Sequence, residues 1–267
     1  MIESDKPNLL GAIMLIVVTT LTYIPVMQAD FIWDDNHWLW DNPPTVAEGF
    51  TGLKAMWSGD DPPDFLPITS TVFWLQWRIW GDDATGYHVV NLAAHIIACL
   101  LVWRVLWRLG IPGAPLAAFA FAVHPVAVAS VAWITELKNT LSLIFFALTI
   151  LTYLRFDDIQ QARTAARKEL DANAWIWLFT AALIFQVALL IKGSVVVLPA
   201  VLLLIVWWRR DRIAWRDVAF TWPFFVMAGF MSWVVIYYQH EHAIGTAIIA
   251  PQDFSPPWPV ASWALWF

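Results

Sequence analysis

The sequence contains a single cysteine, Cys99, so no internal disulfide can hold the chain together. Charged residues make up only 13% of 267 residues, against about 25% in soluble domains. That scarcity excludes an ordinary water-soluble globule, and the 60% apolar content excludes a disordered chain. Basic residues are few: 15 Lys and Arg stand against 21 Asp and Glu, for a net charge of −6. So few basic residues disfavour a nucleic-acid partner, whose phosphates need neutralising. The start lacks the basic stretch of a secretory signal, holding Glu3, Asp5 and a lone Lys6. The apolar run after it exceeds the roughly 7–15 residues of a signal core, so it is expected to be an uncleaved anchor. What the chain has in quantity is apolar runs and tryptophan, 20 Trp against 17 Phe.

A bilayer core of roughly 30 Å needs about 20 apolar residues of helix. Segments 8–27, 87–107, 114–134, 139–156, 173–191, 194–208 and 217–238 meet that test, and an eighth apolar stretch begins near Pro257 and is cut at Phe267. The fold class expected is therefore all-α: a polytopic transmembrane helix bundle of about seven spans plus a partial eighth. It forms one transmembrane domain over residues 1–267 with no soluble domain. With the N-terminus cytoplasmic, the connections 104–113, 155–172 and 209–216, together with Lys6, carry 11 of the 15 basic residues, while 13 of 21 acids fall on the opposite face. This asymmetry fits the positive-inside rule. The outer segment 28–86 holds two aromatic-rich pieces, 50–58 and 67–80, in which Phe73, Trp77 and Trp80 recur at helical spacing. Both are expected to be helices at the membrane interface, where aromatic rings favour headgroup depth. Most of the tryptophans fall at such boundaries.

Ionisable groups in apolar surroundings cost several kcal/mol unless paired or hydrated, which makes each a functional candidate. Asp34 and Asp35 follow the first span in FIWDDNHWLWDN. Adjacent side chains diverge, so the two acids are expected to differ in role: one a general base, or both ligands of a divalent cation, or simply a capped, solvated loop. His88, Asn91 and His95 share one helical face and are expected chiefly to bond neighbouring helices. His124-Pro125 breaks the third span near its outer end and opens a polar pocket. Glu136, Lys138 and Asn139 line the next outer turn, and Lys192 lies at another outer boundary, where it could neutralise a lipid phosphate or simply snorkel. His240, Glu241 and His242 lack the four-residue spacing of a helical zinc pair.

The order FIWDD, Asn-Pro, PDFLPIT, GYHVVNLAAH, FAVHPVAVASVAWITELKN and IKGSVVVLP resembles the bacterial multi-pass proteins related to the TMTC O-mannosyltransferases. Those are GT-C glycosyltransferases that use lipid-linked sugars and often carry tetratricopeptide repeats. The resemblance implies a multi-pass protein of the bacterial inner membrane whose first large loop is periplasmic. It also implies a polyprenyl-phosphate sugar donor with its head at the outer face, and in-line transfer to an acceptor hydroxyl with Asp34 or Asp35 as the base. Lys192, Lys138 and His124 are then expected at the departing phosphate, with Glu136 and His88 beside the same binding region, a metal at Asp34 and Asp35 remaining open. The chain departs from the family pattern at Ala129, where a glutamate is expected, and at Leu137, where an arginine is expected. The cut at Phe267 implies a fragment or a truncated descendant. The alternative is a catalytically inactive accessory subunit of a larger membrane complex, contacting lipids and partner proteins.

Overall fold

A computed structural model of the chain describes residues 5–59 and 64–239. The apolar stretch from Pro257 and the His240–His242 cluster lie outside the described residues. Every described element is helical: α1 (Leu9–Tyr23), α2 (Asp35–Trp38), α3 (Pro43–Val46), α4 (Thr51–Ser58), α5 (Pro67–Trp80), α6 (Ala84–Arg108), α7 (Ala114–Ala122), α8 (Val128–Ala132), α9 (Leu137–Ala165), α10 (Ala172–Ile191), α11 (Leu198–Arg210) and α12 (Trp215–Tyr238), with 3-10 turns between some of them.

Helix starts are written in the sequence as short polar caps. The Asn8 side chain accepts from the Gly11 amide at 2.8 Å, Asp83 from Thr85 at 3.0 Å, and Asp171 from Ala174 at 3.0 Å. Each satisfies an amide that the first helical turn leaves without a partner. Six helices, with α1 extended by its 3-10 turn, are long and apolar enough to cross a membrane. The span expected over 114–134 is not one rod: α7 and the piece Pro125–Ala132 meet at a bend of 50°. Pro125 has no N–H to give and its ring pushes His124 out of the helical region, to φ −67° and ψ 133°. The span expected over 139–156 instead runs 29 residues to Ala165, so the first half of the 155–172 connection is helix. At 1.5 Å per residue α9 is roughly 44 Å long, more than the hydrocarbon core.

α9 is the central rod, flanked by α6 and α10. A large apolar core joins α9, α10, α11 and α12 around Tyr153, Phe156, Phe185 and Phe224. α1 attaches by one stripe only, Leu15, Thr19 and Tyr23, spaced by four. Its contact with α6 is close because position 11 is glycine: a Cβ there would lie 2.4 Å from the Trp103 ring. Ala114, Ala118 and Ala122 give α7 an equally small face toward Cys99 and Trp103.

The two ends of the bundle differ. The basic end gathers the C-termini of α6, α9 and α11 and the N-termini of α10 and α12. There Asp157, 3% exposed at its side chain, pairs with Arg209 and Arg210; Asp158 pairs with Arg108 and Arg209, and Asp217 with Arg210. These pairs carry α9 past the apolar zone as intact helix. The opposite, platform end is built by α2–α5. Helices form over 50–58 and 67–80 as expected, but Phe73 is fully buried against Trp38, with Trp77 and Trp80 packed beside that cluster. Much of this aromatic excess holds the platform together. Arg78 fastens it from within, stacking on Trp74 at 3.8 Å and donating to the carbonyls of Thr45, Ala47 and Trp74.

Candidate functional site

The chain turns sharply as it leaves α1. Trp33 takes φ 51°, a left-handed conformation that costs an L-residue about 1–2 kcal/mol, and its ring meets Trp133 edge-on at 4.6 Å. This turn delivers the two acids to different places. Asp35 is 1% exposed, with one carboxylate oxygen accepting from the Ile32 amide at 2.9 Å and the other from the Thr135 amide at 3.0 Å. Burial raises its pKa above the usual carboxylate range, and the two amides oppose that rise. Asp34 is half-buried and accepts one hydrogen bond, from the Thr135 hydroxyl at 3.0 Å. One acid is thus a fastener between the loop and the start of α9, and its neighbour keeps an open carboxylate oxygen.

Both oxygens of Asp35 face N–H donors, which is the wrong polarity for a cation cage. No group of three or more metal-binding side chains gathers among the described residues. The residues present therefore do not form the two-acid metal site that the spacing left open.

A polar chain runs beside Asp34. Glu136 pairs with Lys138 at 3.1 Å and also accepts from the Asn139 amide, which reaches the Ser130 hydroxyl at 3.0 Å. Lys192 donates to the Asn139 carbonyl oxygen. It gets there because the backbone is extended at Lys192, φ −153° and ψ 128°, where α10 gives way to a 3-10 turn. Burial holds the Lys192 amine below the usual lysine range; Glu136 opposes this and Lys138 reinforces it. Lys138 also lies 5.2 Å from the centre of the Trp38 ring.

Asp64 joins this group. Burial raises its pKa, the nearby Lys138 ammonium and a hydrogen bond with Gln239 lower it, and the Asp34 carboxylate raises it again. In the sequence Asp64 is one acid of the outer segment 28–86, and its place within PDFLPIT was the available signal. Asn139 is the second residue whose importance was understated. It lines two cavities: one of about 370 Å³, lined also by His95, His124, Ser130, Thr140 and Leu143 among others, and one of about 310 Å³, lined also by Ser142, Leu143, Phe146, Lys192 and Ser194 among others. His124 Nδ1 accepts from the Val126 amide at 3.2 Å, which leaves Nε2 to carry the ring proton.

Asp34, Glu136, Lys138 and Lys192 therefore share one region, and His124 borders the adjoining cavity. His88 does not join them. It is 1% exposed, with Nε2 3.2 Å from the Ala29 carbonyl oxygen, so it ties α6 to the loop after α1. Asn91 donates to the Trp133 and Ile134 carbonyls, and His95 lies 2.9 Å from that of Ala122. The stripe on α6 thus occupies backbone groups released where the neighbouring segments break.

At Leu137, where an arginine was expected, the side chain is fully buried in the apolar cluster of Trp38 and Phe73. Ala129 is exposed. The arrangement can accept a proton at Asp34 and hold an anion at Lys138 and Lys192, with an apolar cavity alongside.

No family model matches the chain, and no solved structure matches it. Curated relatives do. A protein O-mannosyl-transferase of Caenorhabditis elegans is 27% identical over 162 residues, 55% of this chain and 23% of the relative. Protein O-mannosyl-transferase TMTC4 of Homo sapiens is 28% identical over 191 residues, 62% of this chain and 25% of the relative. Protein O-mannosyl-transferase tmtc2 of Xenopus laevis is 24% identical over 172 residues, 60% of this chain and 20% of the relative. The chain spans about a quarter of the length of the curated relatives it matches. By sequence, this multi-pass helical chain is a homologue of the TMTC-type protein O-mannosyl-transferases.

Proposed function

We propose that this protein supplies the membrane-embedded site of a GT-C-type glycosyltransferase that moves a mannose-like sugar from a polyprenyl-phosphate donor to an acceptor hydroxyl. The donor's tail lies in the bilayer and its head at the platform end, which faces the periplasm across a bacterial inner membrane. Asp34 takes the acceptor's proton as its oxygen attacks the anomeric carbon. The bond from that carbon to the phosphate oxygen breaks, and its electron pair leaves with the phosphate. Lys192 and Lys138 stabilise the charge that develops there, and His124 reaches it from the neighbouring cavity. Asp35 positions Asp34 through Thr135, and Glu136 positions Lys138 and Asn139. No step is assigned to a metal or to His88.

One observation carries this reading: a half-buried carboxylate with an open oxygen, Asp34, shares one end of a membrane bundle with Lys138 and Lys192, and Lys192 borders a cavity there. The test is sugar transfer from polyprenyl-phosphate mannose in membranes holding the protein. Asp34→Asn is expected to reduce transfer by roughly 10²–10⁴-fold, the usual contribution of a general base. Unchanged transfer in that variant would remove Asp34 from the role. The buried Leu137 favours a second reading, a non-catalytic subunit of a membrane complex. Folded wild-type protein without transfer, recovered with a stoichiometric membrane partner, would select it.

A further inference from the structure

At the basic end four cations pair with acids. Arg163 pairs with Asp171, and Arg108, Arg209 and Arg210 share Asp157, Asp158 and Asp217. Three others converge without an acid partner among the described residues: Arg167 and Lys168 from the connection after α9, and Arg216 from the first turn of α12. They line a groove of about 700 Å³ whose one carboxylate is Glu169. All four side chains are exposed. Three cations against one acid leave the groove with an excess of positive charge that no ion pair among the described residues neutralises.

The opposite wall of the groove is apolar, made by Leu170, Trp175 and Phe220. Trp175 and Phe220 meet edge-on at 6.0 Å, at the N-terminal turns of the two membrane-length helices α10 and α12. Below them, both helices present uncovered apolar side chains: Ile176, Phe179 and Leu183 on α10, and Val226 and Phe230 on α12. A cationic rim therefore opens directly onto lipid-facing surface. Free phosphate would use the rim alone; an amphiphile uses both parts.

We propose that this groove is a binding site for the headgroup of an anionic phospholipid. Its phosphate is held by Arg167, Lys168 and Arg216, its glycerol region rests on Trp175, and its acyl chains run along α10 and α12. The site lies at the opposite end of the bundle from Asp34 and Lys192, and it does not depend on the glycosyltransferase reading.

The test is native mass spectrometry of the purified protein titrated with phosphatidylglycerol, phosphatidylcholine or inorganic phosphate. Phosphatidylglycerol should be retained in preference to phosphatidylcholine. The triple variant R167Q/K168Q/R216Q should lose that preference by on the order of a hundredfold, three cations each contributing several-fold near an anionic headgroup. Because the three side chains are exposed, the variant is expected to fold, and an unchanged thermal midpoint checks this. Trp175→Ala should weaken lipid retention, and Glu169→Gln should preserve or strengthen it. Equal retention of the two lipids, or full preference in the triple variant, overturns the proposal. Displacement of phosphatidylglycerol by millimolar inorganic phosphate, with Trp175→Ala silent, overturns the lipid assignment in favour of a free-anion site.

Discussion

Asp34 and Asp35 are neighbours in sequence, yet their removal should have unequal consequences for stability. Asp35→Ala removes both acceptors from the Ile32 and Thr135 amides, at 2.9 and 3.0 Å. Hydrogen bonds to a charged group contribute about 1.5–3 kcal/mol each, and the Thr135 amide is left buried without a partner. Relief of the buried carboxylate's desolvation offsets part of this. A net loss of roughly 2–4 kcal/mol remains. Asp34→Ala deletes one bond from a hydroxyl to a half-buried acid, about 0.5–1.5 kcal/mol. In detergent, the thermal midpoint of Asp35→Ala should therefore fall by several degrees, and hydrogen exchange across residues 30–42 should quicken. Asp34→Ala should change both only slightly. Equal losses of stability in the two variants, or a silent Asp35→Ala, would refute the division between fastener and open carboxylate.

Three further outcomes follow from the packing and charge. Gly52 faces the Pro44 backbone so closely that a Cβ would lie 1.9 Å from its carbonyl oxygen, so Gly52→Ala must separate α3 from α4. It should cost about 1–3 kcal/mol or more, read as faster proteolysis of the platform in the variant. Burial raises the Asp35 pKa, so the native state binds this proton more tightly than the unfolded chain does, and the residue's contribution to stability falls as pH rises from the usual carboxylate value through the raised one. Melting curves across that window should show a shallower decline in Asp35→Asn than in the wild type. Asp157→Ala removes a nearly buried partner from Arg209 and Arg210, which keep Asp158 and Asp217, and should cost roughly 1.5–3 kcal/mol in denaturation. Asp158→Ala, at a more exposed position, should cost much less.

The bundle was legible because the bilayer reads long apolar runs almost directly: α1, α6, α10 and α12 lie close to where those runs lie. Segments 114–134 and 139–156 were read less well, for opposite reasons. Hydropathy averages over the His124-Pro125 break, while the acids at 157 and 158 look like a helix end until Arg108, Arg209 and Arg210 arrive from other helices to neutralise them. Phe73 and Trp77 show the same limit, since spacing identifies an aromatic face but not what covers it.

The sequence by itself determined a polytopic helical chain, the sorting of its charges to two ends, and its similarity to the O-mannosyl-transferases, because apolar length, charge sign and residue order are local properties. Only the tertiary structure decided that Asp35 is a fastener while Asp34 is open, that Asp64 and Asn139 join Lys138 and Lys192, and that His88 belongs to the packing. Those outcomes depend on which backbone amides and charges meet across up to a hundred residues of chain, as when the Thr135 amide reaches Asp35, and no local pattern encodes such a meeting.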